Sequence, residues 1–385
     1  MRKIILVDDD LDLLDISCKY IISKCPDVTV EYAGSGEECL KKDLKSFDLI
    51  LLDYNLPDIS GIELIEKIQQ RCTTPVIMVT GEDNSEIAFA AIDKGAFDYV
   101  VKAGDYLKTL PVVINKTLKQ VKIERENIRL QKEKDRYLES INDELDMAKK
   151  IQDSLVPMPL PEIDGLRLAA RYIPTGKIGG DMFDIFTLKD DLIALFMFDV
   201  SGHGVPAALI CSMFKILLRQ ELERETSPAQ ILTNVNNSYF NVFKFDNFIT
   251  VFLAIFNKAD GSLKFSRGGH PYPIVFRKNS NRLQILDTDG FAIGMERNPD
   301  YKEKTLYLKK GDRLFLFTDG IYEVFNLNHK MMGIHGFHSV IRKIRDLDID
   351  DFLIKLVEVY ENYKATMVNE DDISLLMIEY TGCEK

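Results

Sequence analysis

FDLILLDYNLPDISGIEL, residues 47–64, contains an apolar run that ends on an acid, Asp53, and continues into a turn. The run at 49–52 is short and apolar on both faces, which suits a strand buried in a parallel sheet. Working outward, runs of the same kind lie at 3–7, 28–32, 76–79 and 99–101, separated by stretches of helical length such as 11–23 and 62–71. This alternation over residues 2–110 predicts a five-stranded, doubly wound parallel sheet. Ligands bind such sheets outside the carboxyl ends of the strands. Asp8 and Asp9 follow the first strand, Asp53 ends the third, Thr80 the fourth and Lys102 the fifth. A single Asp in such a place is commonly a turn or cap residue; the matched set is what carries meaning. Three gathered carboxylates repel one another unless a hard cation sits among them, and Mg²⁺ suits oxygen ligands. A carboxylate held there can attack a phosphoryl group and become an aspartyl phosphate. Lys102 would balance the added charge, and the Thr80 hydroxyl would bond a phosphoryl oxygen.

From Gly165 onward the pattern becomes β-rich. Strands are expected at 192–199, 248–256, 263–266, 273–276, 306–308, 313–318 and 374–380, with helices at 206–224, 228–245 and 349–364. Clustered strands with segregated helices predict an α+β sandwich. Acids again flank strand ends: Asp181 after Gly179-Gly180, Asp199 before Val200-Ser201-Gly202, Asp319 before Gly320, and the pair Asp371-Asp372. Glycines beside the first three permit tight turns and close backbone approach. Such carboxylates form a hard oxygen site for Mg²⁺ or Mn²⁺. Two such cations can hold a phosphate and activate water for in-line displacement, which suits hydrolysis of a phosphomonoester. No cysteine or serine nucleophile with a paired base is evident. Pro206 is expected to open a helix whose first amides point back towards the Asp199 turn. His203 and His270 are weighed as proton donors, with a structural hydrogen bond the simpler role for His270. Met331-Met332 and the phenylalanine-rich strands read as core.

Between the two patterns, residues 112–155 contain neither glycine nor proline and are rich in helix formers, with Pro111 placed to start a helix. Leu118, Val121 and Ile128 keep a heptad-like spacing, as do Leu138, Ile141, Leu145, Ala148 and Leu155, with a break in phase near residues 135–138. Arg125, Lys132 and Asp135 weaken the first seam. A dimeric coiled-coil linker is the expectation, against a simple solvated spacer.

The chain has 385 residues, a hydrophobic fraction of 46% and a formal net charge of −12. That charge argues against non-specific binding to nucleic acid or anionic membranes. The start MRKIILVDDD lacks the features of a secretory signal, and no apolar run approaches membrane-spanning length. The six cysteines, including Cys383, show no metal or redox spacing. A cytoplasmic protein with reduced thiols is expected.

Two families share these stretches. Residues 1–120 resemble response-regulator receiver domains, on ILVDDD (5–10), FDLILLDYNLPDISGIEL, PVIMVTGED (75–83) and GAFDYVVKAG (95–104). The resemblance implies a flavodoxin-like fold, with Asp8 and Asp9 as the acid pair and Asp53 as phosphoacceptor. It also implies that Asn55 lends a backbone carbonyl to Mg²⁺, that Thr80 and Tyr99 are the switch pair, and that Lys102 binds phosphate. The family usually has proline after that lysine, where this chain has Ala103-Gly104.

Residues 145–382 resemble the SpoIIE/RsbU branch of the PPM, type-2C-like, serine/threonine phosphatases. The shared stretches are AKKIQDSLVP (148–157), GKIGGDMFDIF (176–186), FMFDVSGHGVPAAL (196–209), FITVFLAIF (248–256), RGGHPYPIVF (267–276), GDRLFLFTDGIYEVFN (311–326) and NEDDISLLMIEY (369–380). The resemblance implies two Mn²⁺ or Mg²⁺ held by Asp181, Asp199, Asp319 and Asp371, with Asp199 bridging and Val200 giving its carbonyl. Asp371 is preferred to Asp372 by alignment. The family often has lysine at His203, and AKKIQDSLVP matches its regulatory helix. The implied partners are a sensor histidine kinase and a phosphorylated STAS-type anti-sigma-factor antagonist.

The expected organisation is a receiver domain at 1–120, a helical linker at 112–155 and a phosphatase domain at 156–385. Phosphorylation of Asp53 is expected to control the phosphatase. The rival readings are a catalytically weak phosphorylation-dependent adaptor and a nucleic-acid-binding regulator. The first sits poorly with four retained acid positions. The second lacks both a helix-turn-helix signature and a basic domain.

Overall fold

Leu49 and Leu51 point to one layer of helices while Ile50 and Leu52 point to the other. This two-sided burial follows from the period of a strand and explains why the run is apolar throughout. The computed structural model describes residues 2–81, 85–189, 191–242, 247–278, 282–364 and 371–382. The chain divides into two units, Met1–Glu139 and Ser140–Lys385.

In the first unit, β1 (Arg2–Val7), α1 (Leu11–Lys24), β2 (Val28–Ala33), α2 (Gly36–Lys41), β3 (Leu49–Asp53), α3 (Gly61–Gln69), β4 (Val76–Thr80), α4 (Ser85–Asp93) and β5 (Asp98–Val101) alternate as expected. The strands form one parallel sheet in the order β2-β1-β3-β4-β5. The order reverses beside β1, so a crevice opens where β1 and β3 end, at Asp8 and Asp53. Helix α1 starts where Asp10 accepts hydrogen bonds from the amides of Asp12 and Leu13, at 3.1 and 3.0 Å.

Helix α5 runs over Tyr106–Asp153. It begins five residues before the expected start, and Pro111 lies inside it rather than at its first position. Leu110, Ile114 and Leu118 are buried in the first unit's core. Leu118 therefore serves the receiver-like core and not a free seam. Ile128, Leu138 and Ile141 are exposed, as are most residues from 122 to 144.

The second unit is built on two five-stranded antiparallel sheets. One has the order β13-β10-β9-β8-β7, from β7 (Met182–Thr187), β8 (Leu192–Val200), β9 (Ile249–Asn257), β10 (Ser262–Gly268) and β13 (Glu303–Tyr307). The other has the order β12-β11-β14-β15-β6, from β6 (Leu166–Ile173), β11 (Ile274–Arg277), β12 (Arg282–Ile285), β14 (Arg313–Phe317) and β15 (Ile373–Tyr380). Along β14, Leu314 and Leu316 face the core between the sheets, while Phe315 and Phe317 face a second core beneath α8 (Gly333–Ile344) and α9 (Ile349–Lys364). Helices α6 (Val205–Leu222) and α7 (Pro228–Val242) cover the other sheet. The expected extension of the α7 segment to Phe245 and the residue Cys383 lie outside the described residues.

The outer core is aromatic. Phe317 and Phe337 stand 4.7 Å apart by ring centroids, and Phe315 and Phe352 meet edge to face at 5.3 Å. Each such buried ring contributes about 1.5–3 kcal/mol by burial alone. These rings pack β14 against α8 and α9, and the acids described below follow β14 and precede β15.

Candidate functional site

Two sets of acids gather, one in each unit. In the first, Asp8, Asp9 and Asp53 each bring a carboxylate oxygen within 4.8 Å of the others, the only such trio among the described residues. Lys102, from the end of β5, reaches Asp8 Oδ2 at 2.7 Å and forms an ion pair with Asp53 Oδ1. Asp53 Oδ2 accepts from the Asn55 amide at 2.9 Å. Burial pushes the Asp53 carboxyl above its ordinary range, Lys102 pulls it back, and Asp8 pushes it up again. Asp8 and Asp53 are buried while Asp9 is open to solvent. Three acids against one cation leave room for positive charge, so the donor set fits a hard divalent ion. Thr80 is buried at the end of β4, and Tyr99 is 43% exposed on β5. Ala103 stands where the family's proline would, and the next residue, Gly104, takes a positive φ of 54°, a backbone that glycine adopts without a Cβ clash.

In the second unit, strand ends from both sheets deliver the acids. Asp181 lies just before β7, Asp199 near the end of β8, Asp319 just past β14, and Asp371 just before β15. Burial is the first cause that raises Asp199, up to about 8, followed by the charges of Asp319, Asp371 and Asp372. Asp371 is raised to about 6, again by burial first. Asp181, wholly buried, is held well above the carboxylate range by burial and then by Asp199 and Asp372. The four acids expected from the sequence therefore share one electrostatic neighbourhood. They are spread more widely than the first trio.

Several details suit this bowl to cations. Asp181 Oδ1 is buried with no hydrogen-bond partner, while its Oδ2 accepts from Thr318 Oγ1 at 2.7 Å. Thr318 in turn accepts from the Ser374 amide at 2.9 Å. A Cβ on Gly179 would collide with Asp372 Oδ2 and Tyr172 Oη, so only glycine lets this turn approach so closely. Asp372 spends both carboxylate oxygens on backbone, taking the Thr175 amide at 2.7 Å and the Gly180 amide at 2.6 Å. Among the described residues, Asp371 accepts from the Asp372 amide, at 2.8 Å. Gly204, at φ 78°, leads into α6 with no side-chain cap, so the first amides of α6 remain unclaimed by any cap side chain.

His203 is exposed, and its charge lowers Asp371 slightly. His270 is buried, with Nδ1 3.0 Å from Thr250 Oγ1, and burial holds it neutral with a pKa lowered to about 3. That is a structural histidine.

Sequence reading missed Gln152, which is buried in the last turn of α5. Its Nε2 donates to Gly179 O at 2.6 Å and its Oε1 accepts from Gly179 N at 3.1 Å. One side chain thus grips both polar groups of a single residue, in the turn that presents Asp181. The available signal was weak, since Gln152 is one of three polar residues between apolar Ile151 and Leu155 in AKKIQDSLVP. Thr318 and Asp184 were also missed, because neither stands out in sequence from its strand.

The fold and the acid clusters define a receiver domain followed by a phosphatase domain of the PPM type. The response regulator receiver domain profile matches residues 4–110, and the profile for stage II sporulation protein E (SpoIIE) matches residues 189–381, half of the chain. The chain belongs to the SpoIIE family. It is similar to phosphoserine phosphatase RsbU of Bacillus subtilis (strain 168), 29% identical over 238 residues, covering 60% of this chain and 70% of RsbU. It is also similar to phosphoserine phosphatase RsbP of the same organism, 22% identical over 240 residues, covering 61% of this chain but only 57% of RsbP. Among solved structures, the SiaA-PP2C domain of Pseudomonas aeruginosa superposes with a TM-score of 0.56 at 20% identity, over 63% of this chain and 98% of that one. That likeness concerns the fold. The second unit is a protein serine/threonine phosphatase domain of a divalent-metal-dependent class. No helix among the described residues is long and apolar enough to cross a membrane.

Proposed function

We propose that phosphorylation of Asp53 by a sensor histidine kinase controls removal of a phosphoryl group from serine or threonine on a STAS-type anti-sigma-factor antagonist, in the cytoplasm. The observation that carries this reading is the grip of Gln152 on Gly179. The helix that leaves the receiver ends on the turn that presents Asp181, so a change in that helix has a physical route to the phosphatase site.

Asp8, Asp9, Asp53 and the Asn55 carbonyl would hold one Mg²⁺. Asp181, Asp199, Asp319, Asp371 and the Val200 carbonyl would hold two Mn²⁺ or Mg²⁺. Asp371 is favoured over Asp372, whose oxygens are already engaged by backbone amides. Bound cations would supply Lewis-acid polarisation of the phosphoryl group and activation of the attacking water. The chain's own residues orient that chemistry: Thr318 fixes the rotation of Asp181, and Asp372 fixes the Gly179-Gly180 turn. In the receiver, Lys102 would neutralise the charge that the phosphoryl group adds, and Thr80 and Tyr99 would report it. Exposed Ile128, Leu138 and Ile141 support a homodimer paired along the linker.

The test is dephosphorylation of purified phospho-STAS proteins with Mn²⁺, with and without acetyl phosphate. Asp199→Ala should abolish turnover, and Asp53→Ala should abolish the response to acetyl phosphate. Unchanged turnover in the first variant rejects the metal site, and a persisting response in the second rejects the coupling.

A further inference from the structure

Helix α6 presents three polar or ionisable side chains at intervals of four residues, so they form one stripe, buried at Cys211 and Lys215 and reaching solvent at Arg219. Cys211 Sγ lies 3.7 Å from Asp181 O. One turn on, Lys215 Nζ stands 2.8 Å from Asp184 Oδ2 and also donates to Leu155 O. A further turn on, Arg219 contacts the same Asp184 oxygen from NH2 at 2.9 Å and from Nε at 3.1 Å.

Lys215 and Asp184 are both buried, at 6% and 1% exposure. Burying an ammonium ion costs several kcal/mol before its partners repay it, and a methionine would fill the same space without that cost. Arg219 already supplies Asp184 with a cation. Neutralising Asp184 therefore does not by itself account for Lys215. What Lys215 adds is its bond to Leu155 O, two residues beyond the end of α5 and three beyond Gln152. Asp184 in turn lies on β7, three residues after Asp181. The residues that follow α5 are thus tied to the metal-site strand through one ammonium group.

We propose that Lys215 is a positioning residue for the metal site, coupling the seating of the linker's end at Leu155 to the placement of Asp181 through Asp184. This rests on the phosphatase reading above. When Leu155 is seated, the ammonium is fully bonded and β7 is held. When Leu155 leaves, a buried cation loses a partner, and α6 and β7 must readjust to satisfy it.

The test uses the full chain with Lys215→Met and, as a control, Arg219→Gln, which removes the other cation from Asp184 without touching Leu155. Turnover of p-nitrophenyl phosphate is measured against Mn²⁺ concentration. Lys215→Met should raise the Mn²⁺ needed for half-maximal rate at least tenfold, and Arg219→Gln less than threefold. No shift in Lys215→Met, or equal shifts in both, overturns the proposal. If Lys215→Met does not fold, hydrogen exchange on the unaltered protein decides. Mn²⁺ should slow exchange at residues 152–156 together with residues 182–184, and no protection at 152–156 overturns it. A chain that shows no Mn²⁺-dependent turnover refutes the phosphatase reading instead, and the exchange experiment still judges Lys215.

Discussion

Thr318 Oγ1 donates to Asp181 Oδ2 at 2.7 Å while accepting from the Ser374 amide at 2.9 Å. The hydroxyl has one proton, and the incoming amide obliges it to point at Asp181. Asp181 is thereby locked in rotation, with Oδ1 left buried and unpartnered. A hydrogen bond to a charged group contributes about 1.5–3 kcal/mol. Thr318→Val keeps the shape and removes the bond, so apparent Mn²⁺ affinity should fall roughly 10- to 100-fold, as 1.4 kcal/mol is tenfold. Thr318→Ser should restore most of it. A Mn²⁺ titration of turnover checks this, and a Val variant with wild-type affinity would refute it.

The raised carboxyl of Asp199 has a consequence for the metal-free protein. The folded state keeps the Asp199 proton up to about pH 8, whereas an unfolded chain releases it near pH 4, at about 3.9. Between those values the folded state binds more protons, so stability falls as pH rises, by at most about 1.4 kcal/mol per unit. The contribution is fully present below the unfolded value. Protein stripped of metal should melt lower at pH 8 than at pH 5.5, and Asp199→Asn should flatten the slope. Mn²⁺ should raise the melting temperature more at pH 8, because it binds the ionised carboxylate. Calorimetry showing equal Mn²⁺ effects at both pH values would count against this.

Lys102 shares its ammonium between Asp8 and Asp53, with 17% of the lysine side chain and 6% of the Asp53 side chain exposed. Removing it by Lys102→Met leaves crowded acids in a poorly solvated crevice, so the receiver should lose stability. Asp53→Asn should relieve that crowding. A double-mutant cycle should give a coupling of about 1–3 kcal/mol at pH 7 in metal-free urea melts. Mg²⁺ should shrink the penalty of Lys102→Met by supplying the missing charge. Strict additivity of the two substitutions would dismiss the pair as a surface contact.

The acids were legible because each stands where an apolar run stops, and both folds bring strand ends together. The parallel sheet was legible for a related reason: its central strands β3 and β4, buried on both faces, have no polar interruption before Asp53 and Thr80. Elements without that signal escaped. Edge strand β12 is mostly exposed and carries Arg282 and Gln284, so it reads as a loop. Strand β7 hides Asp184, a charge that only its ion pairs make tolerable in a core. Helix α8 opens on Gly333 and has Gly336 in its first turns, residues that argue against a helix locally. Phe337 and Ile341 recruit it through packing instead. Strand β13 was expected at 306–308 but pairs over Glu303–Tyr307, a polar edge whose register is set by β10. Gln152 was illegible in kind, since its role depends on a glycine backbone 27 positions away.

Helix α5 belongs to the first unit's core at Leu110, Ile114 and Leu118, and holds the Gly179 turn through Gln152. The residues between carry no glycine and no proline. An uninterrupted helical connection makes the input module interchangeable in principle. Any sensor that ends in a helix can be spliced upstream of Ser140, provided the angular phase at Gln152 is kept. Seven added residues return a helix to nearly the same face, whereas two rotate it by roughly 200°. Grafts should therefore regain control at heptad spacings and lose it in between.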